Sequence, residues 1–248
     1  VKKKTSNRSV LPSKKRRLFS LIFSLIIMVP AIIMTGCSGK PAQKAEIDRV
    51  FTAINHLTEA KTLEAKGSFD ITAFGKGDIT VWIDNENQFQ MAIQADDSND
   101  LGFYLKDGKT YLNYFGTKSQ SVAENIGIDP DVPMDFYNPL LDMSAEERDE
   151  IFNAVSVSGD TYTLDINKHA MATVLDNFGG VGVKQASLAV TLDGDQVKQM
   201  VFKADVRSPL LPGNNLKMFI SLEVVSMNQP LDIPWPTDLD SYKTEEAE

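Results

Sequence analysis

Cysteine occurs once in the 248 residues, at Cys37, and histidine twice, at His56 and His169. A lone thiol excludes an internal disulfide, so the core alone must hold the fold. The two histidines share no metal-ligand spacing and read as surface residues. The patterns H-E-x-x-H, G-x-S-x-G and S-x-x-K are all missing, which removes the commoner hydrolase signatures. Gly179-Gly180-Val181-Gly182 lacks the Lys-Ser/Thr pair of a phosphate loop and reads as a helix stop. Apolar runs are short too. The longest, Leu18–Met34, has 17 residues with Pro30 inside it, fewer than the roughly 20 that a spanning helix needs.

Calcium chemistry is equally poorly supplied. Asp96-Asp97-Ser98-Asn99-Asp100 and the set Asp129, Asp131 and Asp135 are acidic enough to attract a cation. Neither has the central glycine and terminal glutamate of a twelve-residue calcium loop, so both read as solvated turns, and no metal site is assigned.

What is present begins at the N-terminus. Residues 1–17 hold eight Lys and Arg and no acidic residue, the apolar run follows, and Thr35-Gly36 precede the cysteine. A basic start, an apolar core and a small-residue cleavage region make a secretory signal. Met34-Thr35-Gly36-Cys37 resembles the lipobox of bacterial lipoproteins, with Met34 where Leu is usual. The resemblance implies cleavage before Cys37 and a diacylglycerol on its sulfur. Residues 1–36 are then the signal peptide and 37–43 a tether. The expected location is the outer, extracytoplasmic face of the cell membrane, reached through the lipid anchor. Two acyl chains hold stably where one does not. No cofactor is expected beyond that covalent acyl anchor.

Removing residues 1–36 takes eight basic residues and no acidic one. Lys+Arg falls from 25 to 17 against 34 Asp+Glu, and net charge moves from −9 to −17. Such a surface repels nucleic acid and anionic lipid.

Beyond the tether, Ile47, Val50, Phe51, Ile54 and Leu57 form one apolar stripe at helical period, predicting a helix from Pro41 to Leu63 that Gly67 closes. Period-two alternation follows in Phe69–Ala73, Ile79–Ile83 and Phe89–Ile93, the mark of half-buried antiparallel strands with one wet face. Gly75-Lys76-Gly77, Asp84–Asn87 and Lys106-Asp107-Gly108-Lys109 read as hairpin connections. Phe115 to Met143, with Pro130, Pro133 and Pro139, predicts a long irregular excursion. A capping box at Ser144 and Glu147 opens a helix to about Asn153. Strands Val155–Ser158 and Tyr162–Ile166 turn at Gly159-Asp160, and Asn167 caps a helix over Lys168–Asn177. Strands Ala186–Leu192, Gln196–Val206 and Leu216–Met227 follow, and Pro230, Pro234 and Pro236 end regular structure. The pattern predicts an α+β domain over 44–242, an acidic tail over 243–248, and an antiparallel sheet packed on an N-terminal helix and a helical insertion.

Several of these features carry a second resemblance. They are the helix after the tether and the hairpins at Asp107-Gly108-Lys109-Thr110-Tyr111-Leu112 and Leu192-Asp193-Gly194-Asp195-Gln196-Val197. The closing Asp232-Ile233-Pro234 and Asp240-Ser241-Tyr242 complete the set. This layout resembles the superfamily of incomplete β-barrels that holds the LolA and LolB carriers and the mycobacterial glycolipid-binding lipoproteins. The resemblance implies a strongly curved sheet around helices, with a greasy cavity between them that takes up acyl chains.

The apolar residues that would line it are Phe69, Ile71, Val81, Phe89, Met91, Met218 and Ile220. A core beneath the helices would use the same residues. The expectation is a non-enzymatic lipoprotein that binds a lipid or other hydrophobic ligand. The alternative is an envelope interaction module that grips another protein through Phe115–Met143. A third reading, weaker than both, is a hydrolase with an unrecognised carboxylate pair.

Overall fold

The predicted apolar stripe is one face of helix α1, Pro41–Thr58. Val50 and Phe51 are fully buried, with Ile47, Ile54 and Leu57 beside them. The computed structural model describes residues 41–72, 75–95, 101–126, 128–132, 150–171, 182–207 and 215–244. Among these, no helix is long and apolar enough to cross a membrane.

Helix α1 stops five residues before the predicted end at Leu63. Thr58 turns its hydroxyl back to the Asn55 carbonyl at 3.0 Å. Asn85 then donates to the Ala60 carbonyl at 2.7 Å, and Lys61 N–H donates to the Asn228 side chain at 2.8 Å. Those side chains capture the departing backbone and set it into strand β1, Thr62–Ile71. Gly67 therefore lies mid-strand instead of closing the helix. A Cβ there would sit 1.7 Å from the Ser221 carbonyl oxygen, so only glycine allows the close strand approach.

Eleven further strands follow. They are β2 Gly75–Asp84, β3 Gln90–Ala95, β4 Leu101–Lys106, β5 Lys109–Tyr114, β6 Thr117–Val122, β7 Phe152–Ser158, β8 Thr161–Ile166, β9 Gly182–Asp193, β10 Gln196–Arg207, β11 Asn215–Met227 and β12 Lys243–Thr244. All twelve form one sheet in the order β12-β6-β5-β4-β3-β2-β1-β11-β10-β9-β8-β7. The sheet is strongly curved and does not close, because β7 and β12 are left at opposite edges. Each meander pairs neighbour to neighbour, and the β1–β11 ladder, from Leu63↔Met227 to Ile71↔Met218, joins the two.

Where turn chemistry was explicit, the sequence reading holds. Asp107 and Gly108, both at positive φ (51 and 71), turn β4 into β5, as a type I′ hairpin demands. Asp84 Oδ1 accepts the N–H groups of Glu86 and Asn87 at 2.8 and 3.2 Å, ordering the β2–β3 connection. Asn167 Oδ1 accepts N–H from His169 at 2.9 Å and Ala170 at 3.5 Å, the expected helix cap. Replacing Asn167 with alanine should cost about 1 kcal/mol in urea denaturation. The far end of that helix lies outside the described residues, as does most of the one predicted from Ser144.

Elsewhere the reading needs correction. Gly75 and Gly77 belong to β2, so the first hairpin turns earlier in the chain. Gly77 faces Phe69 across the ladder, and the Phe69 ring lies where a Cβ would be, 2.9 Å away. Strand β6 occupies the start of the predicted excursion. Its sequence Thr-Lys-Ser-Gln-Ser-Val has no apolar alternation to announce it, and pairing to β5 along its length and to β12 at Ser119 and Gln120 sets it. Phe152 already begins β7, where the helix was expected to reach Asn153. Lys243 and Thr244 pair with Ser119 and Gln120 of β6, where an acidic tail was expected.

Candidate functional site

Alternation puts one side chain in two on the inner, concave side of the sheet. There Ile71, Ile79, Val81, Ile83, Met91, Ile93, Phe103 and Leu105 line the β1–β4 half, and Leu188, Phe202, Met218 and Ile220 continue across β9–β11 in one buried cluster. The residues singled out from sequence converge here. Ile71, Val81, Phe89, Met91, Met218 and Ile220 are buried members, and Phe69 is half-buried against them.

Helix α1 covers this face unevenly. Its backbone runs closest to β10 and then to β7, β8 and β9. Phe51 meets Phe152 with ring centroids 5.7 Å apart, and Arg49 donates to the Tyr162 hydroxyl at 2.8 Å and the Gly194 carbonyl at 3.2 Å. These contacts all lie in the β7–β10 half.

The inner face is also chemically uniform. Among the described residues, the buried polar side chains are Thr58, Thr62, Thr110 and Asn113, and no Asp, Glu, Lys, Arg or His is buried. Thr110 faces inward on β5 and is satisfied by Ser121, at 2.8 Å from its hydroxyl and 3.2 Å from its carbonyl. The apolar surface thus gives way to hydroxyls at β6. His56 lies 3.4 Å from the Asp195 carbonyl, away from this face. No three of His, Cys, Asp and Glu gather to hold a metal among the described residues. Cys37 lies outside them, as do Asp96–Asp100 and Asp135.

A second apolar cluster, on the convex side, is absent from the sequence reading. Ala92 and Tyr104 are buried there, with Trp82 and Tyr111 partly so. The chain after β11 crosses over them, placing Ile233, Leu239 and Tyr242 on the cluster beside Leu231 and Trp235. Gly102 makes room for the Tyr104 ring, which lies 2.5–2.8 Å from where its Cβ would be. Tyr111 packs edge-on to Tyr242 at 5.6 Å, Lys106 lies 5.2 Å over Trp235, and Lys118 is ion-paired with Asp238. The β2–β5 half is therefore apolar on both faces, whereas alternation alone makes its outer face wet. The prolines at 230, 234 and 236 are a signal that could have marked this strap, since they rule out helix and strand but not packing.

Burial pushes the Tyr104 phenol up to about 12, with the Asp238 carboxylate adding to the effect. Burial also raises Tyr242, helped by Tyr104 and Asp238. Phenols held protonated in the fold stabilise it fully below their ordinary range near 10 and lose that contribution as pH rises toward about 12. An absorbance titration at 295 nm should show two of the six tyrosines ionising last, together with a change in tryptophan emission. At the acid end, the hydrogen bond from Lys118 holds the Asp238 carboxyl below its usual range. Its contribution is present above the ordinary carboxylate value and fades as pH falls through the lowered one.

No protein-family model matches the sequence, and no curated protein does. Among solved structures, the chain is similar to the lipoprotein LppX of Mycobacterium tuberculosis, at 11% identity and TM-score 0.43, covering 78% of this chain and 99% of that one. LprF of Mycobacterium bovis is similar at 11% identity and TM-score 0.42, covering 81% and 99%. A LolA-superfamily protein of Nitrosomonas europaea follows at 8% identity and TM-score 0.28, covering 75% and 94%. The fold is an incomplete β-barrel. That statement stands on this chain's own strand order, since likenesses at this level are ones of layout.

Proposed function

We propose that this protein is a membrane-anchored, extracytoplasmic lipoprotein without enzymatic activity that holds a lipid or similar apolar ligand against the concave face of β1–β5. The observation that carries the reading is the mismatch between the apolar face and the helix. The apolar surface runs on through β1–β4, but α1 lies along β7–β10. A face lined by Ile, Val, Met and Phe suits an acyl chain. Met91 and Met218 add side chains that reshape readily around one. The address rests on the signal segment and Cys37, and it supports a tethered carrier or sensor over a secreted one.

The test is direct. Protein purified from membranes, solvent-extracted and analysed by mass spectrometry should release a stoichiometric lipid, and the delipidated chain should bind a fluorescent long-chain fatty acid. Val81→Phe, which fills the inner face without adding charge, should weaken that binding about tenfold. Failure of both lipid recovery and fatty-acid binding would sink the proposal.

A further inference from the structure

The last strand of the sheet brings a charge to the concave side. Tyr242 lies in the convex cluster, packed edge-on to Tyr111 at 5.6 Å. Alternation then turns the next residue, Lys243, to the opposite side. Strand pairing agrees, because Lys243 is the register partner of Ser119 on β6. Ser119 in turn pairs with Leu112, Leu112 with Phe103, Phe103 with Ile93 and Ile93 with Val81, all at inner positions. One line of side chains therefore crosses the sheet from buried apolar groups to a hydroxyl and then to an ammonium.

The chain as a whole is acidic, at −9, yet this line carries no acid. The acidic residues of β1–β6, Glu64, Asp70, Asp78 and Asp84, all fall at outer positions, as Glu64 does opposite Trp82 of the convex cluster. The basic ones do the same. Lys66 and Lys76 pair with Glu64 and Asp70 at 2.9 and 2.8 Å, and Lys106, Lys109 and Lys118 alternate outward on β4–β6. Across β1–β6 and β12, Lys243 is thus the one charged residue that its register turns inward, and it is exposed with no ion pair among the described residues. Ser119 is half-buried and makes no side-chain hydrogen bond among them, whereas Thr110 and Ser121 satisfy each other at 2.8 Å. An acyl chain covers half of a bilayer core, about 15 Å, and three strand spacings of about 4.8 Å match it. A head at Ser119 then leaves the tail end at Ile93, beside Val81. We infer that the lipid held on the concave face has an anionic head group, carboxylate or phosphate, which Lys243 and Ser119 receive at the β6–β12 edge. This rests on the lipid-holding reading and adds the class of head group and its direction.

The experiment compares binding of an anthroyloxy-labelled stearic acid and of its methyl ester, which has the same chain and no charge, to the delipidated full chain. The acid should bind roughly two- to fivefold more tightly, the range for one exposed charge pair, and the preference should shrink in high salt. Lys243→Gln should remove the preference by weakening the acid alone, and Lys243→Arg should keep it. Neither should move the urea midpoint, since the side chain is exposed. As competitors, palmitate and lysophosphatidate should each displace the labelled acid better than monopalmitoylglycerol, and the stronger of the two tells a carboxylate head from a phosphate one. Equal binding of acid and ester, a preference that survives Lys243→Gln, or equal competition by monopalmitoylglycerol would overturn the anionic head and leave the lipid-holding reading intact. Failure of acid and ester alike to bind would sink both.

Discussion

Gly67→Ala is expected to cost at least about 3 kcal/mol, and Gly67→Val to leave no cooperatively folded protein at room temperature. The reason is geometric. An added Cβ would meet the Ser221 carbonyl oxygen at 1.7 Å, its carbon at 2.7 Å and Leu222 Cα at 3.0 Å. All three are backbone atoms, so no rotamer change relieves the clash and β1 must draw away from β11. That ladder is the junction between the β1–β6 and β7–β11 meanders, and the inner-face cluster runs across it. Opening it exposes the middle of the core, not an edge. Gly75 provides the control. It sits at φ 93, and a Cβ added there would have nothing within 4 Å, so Gly75→Ala should cost only about 1 kcal/mol of backbone strain. Urea titrations followed by far-UV circular dichroism separate the two. A loss below about 0.5 kcal/mol for Gly67→Ala would show that the strands do not approach so closely.

That glycine also shows why part of the fold was legible and part was not. Alternation and turn chemistry are local signals, and they located the hairpins at Asp107-Gly108, Gly159-Asp160 and Gly194, along with the ranges of β10 and β11, whereas β9 begins at Gly182, four residues ahead of the expected Ala186 and inside the expected helix stop. Gly67 reads locally as a helix stop, because its reason lies at Ser221, over 150 residues away. Strand β6 was hidden for a related cause. Thr117–Val122 has polar residues on both faces and becomes a strand because β5, and β12 from the far end of the chain, offer it ladders. The helix boundary at Thr58 was set by Asn85 and Asn228, neither of them close in sequence.

For the candidate site, period-two patterning was enough to put Phe69, Ile71, Val81, Phe89, Met91, Met218 and Ile220 on one face, and the structure brings them into one cluster. The pattern could not report how much of that face α1 covers, since helix placement depends on packing across the sheet. Nor could it reveal the convex cluster. Trp82 and Ala92 fall at the positions that alternation assigns to water, and they are covered only because residues 231–242 return across them. An aromatic such as Trp82 on the nominally wet face was the available hint.

The helix placement can be tested through Phe51. Phe51→Ala should cost about 3–5 kcal/mol in urea denaturation with little change in m. Phe51 is 0% exposed and lies with its centroid 5.7 Å from that of Phe152, on the same stripe as Val50 and Ile54. Truncation leaves a cavity at the centre of the α1 contact with β7–β10, where neighbouring backbone is held by strand pairing and cannot collapse into the space. Substituting exposed Glu59 on the same chain segment should stay within about 0.5 kcal/mol. The same variant also separates stability from function. If the ligand lies against β1–β5 and the helix serves the other half, Phe51→Ala should bind a fluorescent fatty acid as tightly as the native chain once the folded fraction is accounted for. Val81→Phe should instead weaken binding at equal folded fraction, at a stability cost of about 1–3 kcal/mol from overpacking a buried side chain. Loss of binding in both variants, at equal folded fraction, would place the ligand beneath the helix instead of beside it. A cost below about 1 kcal/mol for Phe51→Ala would mean that α1 does not dock on this face at all.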